Sequence, residues 1–183
     1  GHEDKMRSQP LSVRGMVYAS LFGALTAVGA LISIPLQPVP ITLHTLFMNL
    51  GAALLGGFLG ALSQVVYILL GIMGLPVFSG GKAGLGVLMG PTGGYLIGFV
   101  IGAILIGKLV RVRERPGFFW LLFSMAVGHV VVYGCGVLQL ALVAKLAPAK
   151  ALAVGVLPFL PGDFLKMCAA AYVTLKLRDK IRG

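Results

Sequence analysis

Apolar residues dominate this chain in long unbroken runs, instead of alternating with polar ones as in a half-buried strand or marking one face of a helix. A helix of about 20 apolar residues crosses the ~30 Å of hydrocarbon in a bilayer. Most runs have about this length, so the pattern predicts membrane-spanning helices. The apolar runs are 13–34, 41–74, 91–110, 118–144 and 163–177, the last preceded by a segment, 148–162, that Pro158 and Pro161 interrupt.

The run 41–74 is too long for a single span, and it is broken at Gly56 and Gly57. It can form one over-long helix or a hairpin of two short helices. Between 75 and 90 the chain is rich in glycine and leaves the helical pattern, as it does at the prolines between 35 and 40.

Composition supports the membrane interpretation. Of the 183 residues, 58% are hydrophobic and only 11% are charged, too few to cover a water-facing surface. The net charge of +10 would also suit a nucleic-acid-binding protein. Most of the basic residues, however, flank the apolar runs in three clusters, as they do around membrane helices, so we predict a lipid bilayer and no nucleic acid as the partner. The clusters are Lys5, Arg7 and Arg14; Lys108, Arg111, Arg113 and Arg115; and Lys176, Arg178, Lys180 and Arg182.

The basic clusters also decide the number of helices. Clusters on the cytoplasmic side are separated by an even number of crossings. This requires 41–74 to be a hairpin, and it predicts an all-α compact bundle of six transmembrane helices with both termini in the cytoplasm. We expect one domain over 13–183, preceded by a loose tail or expression scar over 1–12. The irregular segments then share the outer face, where a ligand could enter.

Asp163 and Lys166 are the strongest candidates for chemistry. Asp163 is the one acidic residue outside the N-terminal tail and the basic clusters. A spacing of three residues places both side chains on the same face of a helix, within the bilayer. A charged side chain inside the bilayer is energetically costly, and such residues usually face a cavity and have a function. The alternative is structural: Asp163 follows Pro161 and Gly162, so it can cap the last helix with Lys166 as its partner.

The glycine-rich outer loop is the second candidate, because glycine lets the backbone approach a ligand closely. Its central residues are Phe78, Ser79, Gly80, Gly81 and Lys82. It has no nucleotide-binding GxxxxGK[ST] pattern. For the glycines farther along, Gly93, Gly94, Gly98 and Gly102, we favour close packing between helices.

Small residues recur every four positions in the first helix, at Ala19, Gly23 and Ala27. Such a stripe permits close helix contact, either within the chain or with another membrane subunit. Isolated polar residues in helices, such as His44 and His129, more often form one interhelical hydrogen bond than bind a metal. We predict no metal site, no cofactor and no catalytic group, so an enzyme has little support.

Four stretches carry a family resemblance: PVPITL at 38–43, GIMGLPVFSGG at 71–81, GPTGGYLIGF at 90–99, and GDxxK at 162–166. With them the chain resembles the BioY family, the biotin-specific substrate-binding (S) components of energy-coupling factor (ECF) transporters, over about 13–177. His44 stands where we expect Gln.

The resemblance implies a six-helix S component in the cell membrane, with an outward-facing biotin pocket. It also implies three partners, a transmembrane coupling subunit and two cytosolic ATPase subunits. The coupling subunit is expected on the helix-1 stripe of Ala19, Gly23 and Ala27.

Biotin chemistry suggests roles for the candidate residues. Asp163 can accept hydrogen bonds from the ureido N–H groups, and Lys166, Lys82 or the loop amides can bind the valerate carboxylate. Phe78 and Tyr95 can cover the apolar ring and tail. Three alternatives remain open: an S component for another vitamin such as thiamine or riboflavin, a solitary proton-coupled carrier or channel, and a structural membrane subunit.

Overall fold

The structure is a computed structural model that describes residues 12–34 and 41–181, and the side chains as far as residue 178. Eight α-helices occur in this part of the chain. They are α1 (Val13–Leu31), α2 (His44–Leu55), α3 (Gly57–Ile72), α4 (Leu85–Leu88), α5 (Gly93–Val110), α6 (Phe118–Val143), α7 (Pro148–Gly155) and α8 (Leu160–Ile181). Two short antiparallel strands, β1 (Ser33–Ile34) and β2 (Ile41–Thr42), join α1 to α2, and a 3₁₀ turn (Leu157–Phe159) precedes α8.

Four helical segments are long and apolar enough to cross a membrane: Val13–Leu31, Gly93–Val110, Phe118–Val143 and Pro148–Arg178. The helices α2 and α3 are equally apolar but shorter, with 12 and 16 residues. At a rise of ~1.5 Å per residue they are about 18 and 24 Å long. Both are therefore shorter than the ~30 Å of hydrocarbon in a bilayer.

The predicted break in the run 41–74 is confirmed. Gly56 separates α2 from α3, with a backbone φ of +93° that side chains other than that of glycine rarely tolerate. A Cβ on Gly56 would also lie 2.5 Å from the guanidinium carbon of Arg111. The turn therefore requires glycine for its conformation and for the space that the arginine occupies.

Two arginine contacts show which chain segments share one end of the bundle. Arg111, just after α5, donates from Nη2 to the carbonyl of Leu55 at 3.0 Å. Arg178, near the end of α8, donates to the carbonyl of Pro116 at 2.8 Å. The α2–α3 turn, the α5–α6 loop and the end of α8 therefore lie together, and with them lie the basic residues of the second cluster and those of the third whose side chains are described, Lys176 and Arg178.

The predicted packing role of the helix glycines is confirmed between α5 and α6. A Cβ on Gly98 would lie 2.8 Å from the Cα of Val132, and one on Gly102 would lie 3.0 Å from the carbonyl oxygen of Gly128. Gly93 and Gly94 face Leu88, Cys135 and Gln139 even more closely. Larger side chains at these positions would push α5 and α6 apart.

Helix boundaries differ from the predictions mainly beside prolines and at strands. The first helix ends at Leu31, not at residue 34, because Ser33 and Ile34 pair with β2. The last helix begins at Leu160, three residues before Asp163, so Pro161 lies in its first turn, where a missing N–H is tolerated. The tail before Ser12, the proline loop 35–40, Lys5, Arg7, Lys180 and Arg182 lie outside the described residues and side chains.

Candidate functional site

A cavity of about 770 Å³, its open mouth included, lies at the end of the bundle away from Arg111 and Arg178. Its walls come from β2, α2, α4, α5, α6 and α8, from the loops before α4 and α5, and from the 3₁₀ turn before α8. The lining residues are Thr42, His44, Thr45, Phe78, Ser79, Lys82, Val87, Thr92, Tyr95, Leu96, Phe99, Val132, Tyr133, Phe159, Asp163 and Lys166.

Asp163 is the centre of the polar contacts in this cavity. It is only 4% exposed, and its Oδ1 lies 2.9 Å from Nζ of Lys166 on the next turn of α8. The Thr45 hydroxyl on α2 donates to the same oxygen at 3.3 Å, and the Tyr133 hydroxyl on α6 donates to Oδ2. A buried carboxylate with donors from three helices is held in one orientation.

Lys166 is held from the other side by the backbone. Its Nζ donates to the carbonyl oxygen of Thr42 in β2 at 2.6 Å, and its side chain is 11% exposed. The ammonium group has three N–H donors, and the structure describes acceptors for two of them. The pair therefore links α8 to the β2–α2 junction and retains a donor for a ligand.

The interpretation of Asp163 as a helix cap is wrong, because α8 begins at Leu160 and Asp163 lies inside its first turn. Its carboxylate accepts from side chains of other helices instead. An anionic group near a helix N-terminus is still stabilised by the helix dipole.

His129 connects the site to the centre of the bundle. Its Nδ1 lies 3.6 Å from Oδ2 of Asp163, and its Nε2 lies 3.1 Å from Nδ2 and 3.3 Å from Oδ1 of the buried Asn49 side chain. His129 thus makes the interhelical hydrogen bond that was favoured for it, and it also lies beside Asp163. Among the described residues, no three His, Cys, Asp or Glu side chains gather closely enough to hold a metal ion.

The glycine-rich loop forms a tight hairpin at the cavity mouth. Phe78 donates its backbone N–H to the Lys82 carbonyl at 3.0 Å, and Gly80 and Gly81 turn the chain with φ of +77° and +74°. Ser79 and Lys82 line the cavity, whereas both glycines are exposed and lie outside its lining. In this structure the two glycines serve the turn, a conformation that residues with a Cβ rarely adopt.

Phe78 and Tyr95 provide the predicted apolar wall. Phe78 is 1% exposed and meets the Tyr67 ring edge-on, with 5.6 Å between the ring centroids. The Tyr95 hydroxyl donates to the Gly155 carbonyl at 2.7 Å, so its hydrogen-bonding capacity as a donor is already used. Tyr95 therefore offers a ligand its ring.

The site predicted from the sequence did not include several wall residues, chiefly Thr42, Thr45, Phe99 and Tyr133. They come from four elements, β2, α2, α5 and α6, and have no common spacing with Asp163. Two of the quoted stretches gave a usable signal: PVPITL includes Thr42, and GPTGGYLIGF includes Phe99. His44, noted as an isolated polar residue and as a departure from the expected Gln, forms part of the wall.

The helix-1 stripe faces inward, which corrects the expectation that a partner docks on it. Ala19 and Ala27 are 1% and 7% exposed, and a Cβ on Gly23 would lie 3.0 Å from the carbonyl oxygen of Ser63 on α3. These residues permit close packing of α1 against α3. A docking partner would have to use the exposed face of α1.

Fold and site together define a multi-pass membrane protein that encloses a small-molecule cavity with a buried ion pair. The chain belongs to the BioY family, whose family model matches residues 4–183. The biotin transporter BioY of Thermotoga maritima is 45% identical over 166 residues, which cover 91% of this chain and 96% of that protein. The biotin transporter BioY of Rhizobium etli is 39% identical over 173 residues, covering 88% and 91%.

A solved structure has the same fold. It is the S-component for biotin from an ECF-type ABC transporter, determined by crystallography at 2.1 Å. It superposes with a TM-score of 0.83 and 28% sequence identity, and the match covers 91% of this chain and 92% of that one. The described architecture is therefore that of a transporter S component.

Proposed function

We propose that this chain binds biotin from the extracellular side and delivers it inward as the S component of an ECF-type transporter in the cell membrane. The observation that carries the proposal is the buried Asp163–Lys166 pair in an otherwise largely apolar and aromatic cavity. The relatives named as biotin transporters and the structural match to an S-component for biotin support the choice of ligand.

The polar end of the cavity suits the ureido ring of biotin. Asp163 can accept from the ureido N–H groups, and the remaining N–H of Lys166 can donate to the ureido carbonyl. Phe78 and Tyr95 then cover the thiophane ring and the alkyl tail. Charge-assisted hydrogen bonds in a buried position are stronger than neutral ones, so this end should supply most of the polar recognition.

The valerate carboxylate is assigned to Lys82 at the cavity mouth. Lys166 is already neutralised by Asp163 at 2.9 Å, so it is a poor partner for a second anion. Lys82 lines the cavity from the 78–82 hairpin and is exposed. Ser79 and the backbone amides of Gly80 and Gly81 lie on the same hairpin and are the other candidates for this end.

Replacing Lys82 with methionine should weaken biotin binding about fivefold, since an exposed ion pair contributes ~1 kcal/mol or less. Biotinamide, which has no carboxylate, should bind Lys82→Met and the unmodified protein equally well. Isothermal titration with both ligands measures the two affinities. Lys150→Met is the control, because it removes the same charge from an exposed position outside the cavity lining. An equal loss for biotin and biotinamide would contradict the assignment.

Six crossings, by α1, α2, α3, α5, α6 and α8, fit the contacts best. The turn at Gly56 and the end of α8 lie with the α5–α6 loop at one end, and β2 lies at the cavity end beside Lys166. The helices therefore alternate in direction. With the basic residues in the cytoplasm, both ends of the domain 13–183 are cytoplasmic and the cavity faces outward.

The partners that we propose are a transmembrane coupling subunit and two cytosolic ATPase subunits. The exposed face of α1 offers the coupling subunit a notch of small residues, Ser20 and Ala24, between the larger Val17, Leu21 and Val28. Small residues four positions apart let a second helix approach closely. This face, and not the buried stripe of Ala19, Gly23 and Ala27, is the docking surface that we propose.

Calorimetric titration of the purified protein in detergent tests the proposed function. We expect one biotin per chain, with no measurable heat from thiamine or riboflavin. The intrinsic fluorescence of Trp120 is a poor substitute, because Trp120 lies at the opposite end of α6, about 20 Å from Tyr133. Absence of biotin binding, or preference for another vitamin, would refute the proposal.

A further inference from the structure

His44 is a buried polar residue of the cavity wall without a described polar partner. The residue is 2% exposed, and neither ring nitrogen has a hydrogen-bond partner among the residues that the structure describes. His129, the other histidine at the site, has Asn49 as a partner. A buried donor or acceptor without a partner costs free energy, so its retention requires a reason.

Packing, not hydrogen bonding, holds the His44 ring. It stacks on Phe99 with 3.8 Å between ring centroids and an interplanar angle of 27°. It meets Tyr67 edge-on at 4.9 Å. An apolar ring of similar size could make both contacts, so the fold itself has no evident need for the two nitrogens.

His44 lies in the segment that contacts the ion pair. Its backbone N–H donates to the Thr42 hydroxyl at 3.2 Å, and the Thr42 carbonyl accepts from Lys166. The next residue, Thr45, donates to Asp163. The segment that carries His44 therefore contacts both charged residues. Within it, the two ring nitrogens of His44 have no described hydrogen-bond partner.

We propose that His44 hydrogen-bonds to the ligand and helps to determine which polar head group the cavity accepts. A neutral imidazole has one donor and one acceptor, which complements a planar cyclic urea or amide with adjacent N–H and C=O groups. The inference rests on the proposed function, because it concerns the same cavity. Both nitrogens are buried, so contact requires a small shift of the wall beside them, of the size that side-chain rotation provides.

Two substitutions separate a ligand contact from a packing role. His44→Phe keeps an aromatic ring against Phe99 and removes both nitrogens. His44→Gln keeps one donor group and one acceptor. Each variant is titrated with biotin by calorimetry, and the thermal midpoint of each is measured without ligand.

We expect His44→Phe to raise the Kd for biotin about tenfold and His44→Gln to stay within about threefold of the unmodified protein. Without ligand, His44→Phe should melt at or above the temperature of the unmodified protein, because it removes unpaired buried nitrogens. Unchanged affinity in His44→Phe, or an equal loss in both variants, would overturn the inference.

The measurements without ligand distinguish this inference from the proposed function. If the unmodified protein binds no biotin, the proposed function fails, while the melting comparison still tests His44. A lower midpoint for His44→Phe would show that the nitrogens stabilise the empty protein, and that would refute the inference. A midpoint at or above that of the unmodified protein would support it.

Discussion

Replacing Asp163 with asparagine is expected to reduce biotin affinity at least 100-fold. The change removes the charge that accepts from Lys166, Thr45 and Tyr133, and it places an amide N–H₂ where the ligand's N–H groups need an acceptor. It also leaves Lys166 as a buried, uncompensated cation, which should cost about 3 kcal/mol of stability. Calorimetric titration and thermal denaturation in detergent measure the two losses.

The double variant Asp163→Asn/Lys166→Met separates binding from folding. Removing both members of a buried ion pair is often close to neutral for stability, so most of the lost stability should return. Biotin binding should not return, because the acceptor is still absent. Recovery of binding in the double variant, or affinity within threefold of the unmodified protein in Asp163→Asn, would show that the carboxylate does not contact the ligand.

The centre of the site could be predicted from sequence because its two charges are near each other in the chain. A spacing of three residues in a helix fixes the relation of Asp163 to Lys166 without any knowledge of the fold. Their other partners could not be found this way. Thr45 lies 118 residues from Asp163 and Tyr133 lies 30 residues away, and only the packing of α2 and α6 against α8 brings them together.

The glycines show the same limit of prediction from sequence. The break at Gly56 was predictable, because two adjacent glycines interrupt a run too long for one helix. The glycines of the 78–82 hairpin were predicted as ligand contacts, and the structure gives them positive φ angles in a turn outside the cavity lining. Both roles require the absence of a Cβ, so composition alone does not distinguish them.

The expectation that a partner docks on the small-residue stripe of α1 conflicts with the structure for a related reason. A repeat of four residues identifies a face of small side chains, and it does not say whether the neighbour on that face is the same chain or another. Here the neighbour is α3, since a Cβ on Gly23 would lie 3.0 Å from atoms of Ser63 and Val66. The corrected docking face follows from exposure, which sequence spacing does not provide.

Replacing Ala24 with tryptophan is therefore expected to abolish ATP-dependent biotin uptake while leaving biotin binding unchanged. Ala24 is exposed on α1, whereas its neighbour Gly23 is buried. A bulky ring there fills the notch beside Ser20 and prevents close approach of a partner helix. The cavity is formed by other elements and should not be affected. Uptake into cells or vesicles with the coupling and ATPase subunits, and titration of the isolated protein, give the two readouts.

Two matched tryptophan variants make the result interpretable. Val130→Trp places the same ring on a 69% exposed position of α6 and should transport normally. Gly23→Trp places it between α1 and α3, where it clashes with backbone and side-chain atoms, so it should destabilise the isolated protein. Normal uptake by Ala24→Trp would move the docking surface away from this face of α1. Loss of uptake in Val130→Trp as well would indicate a general effect of the ring in the membrane.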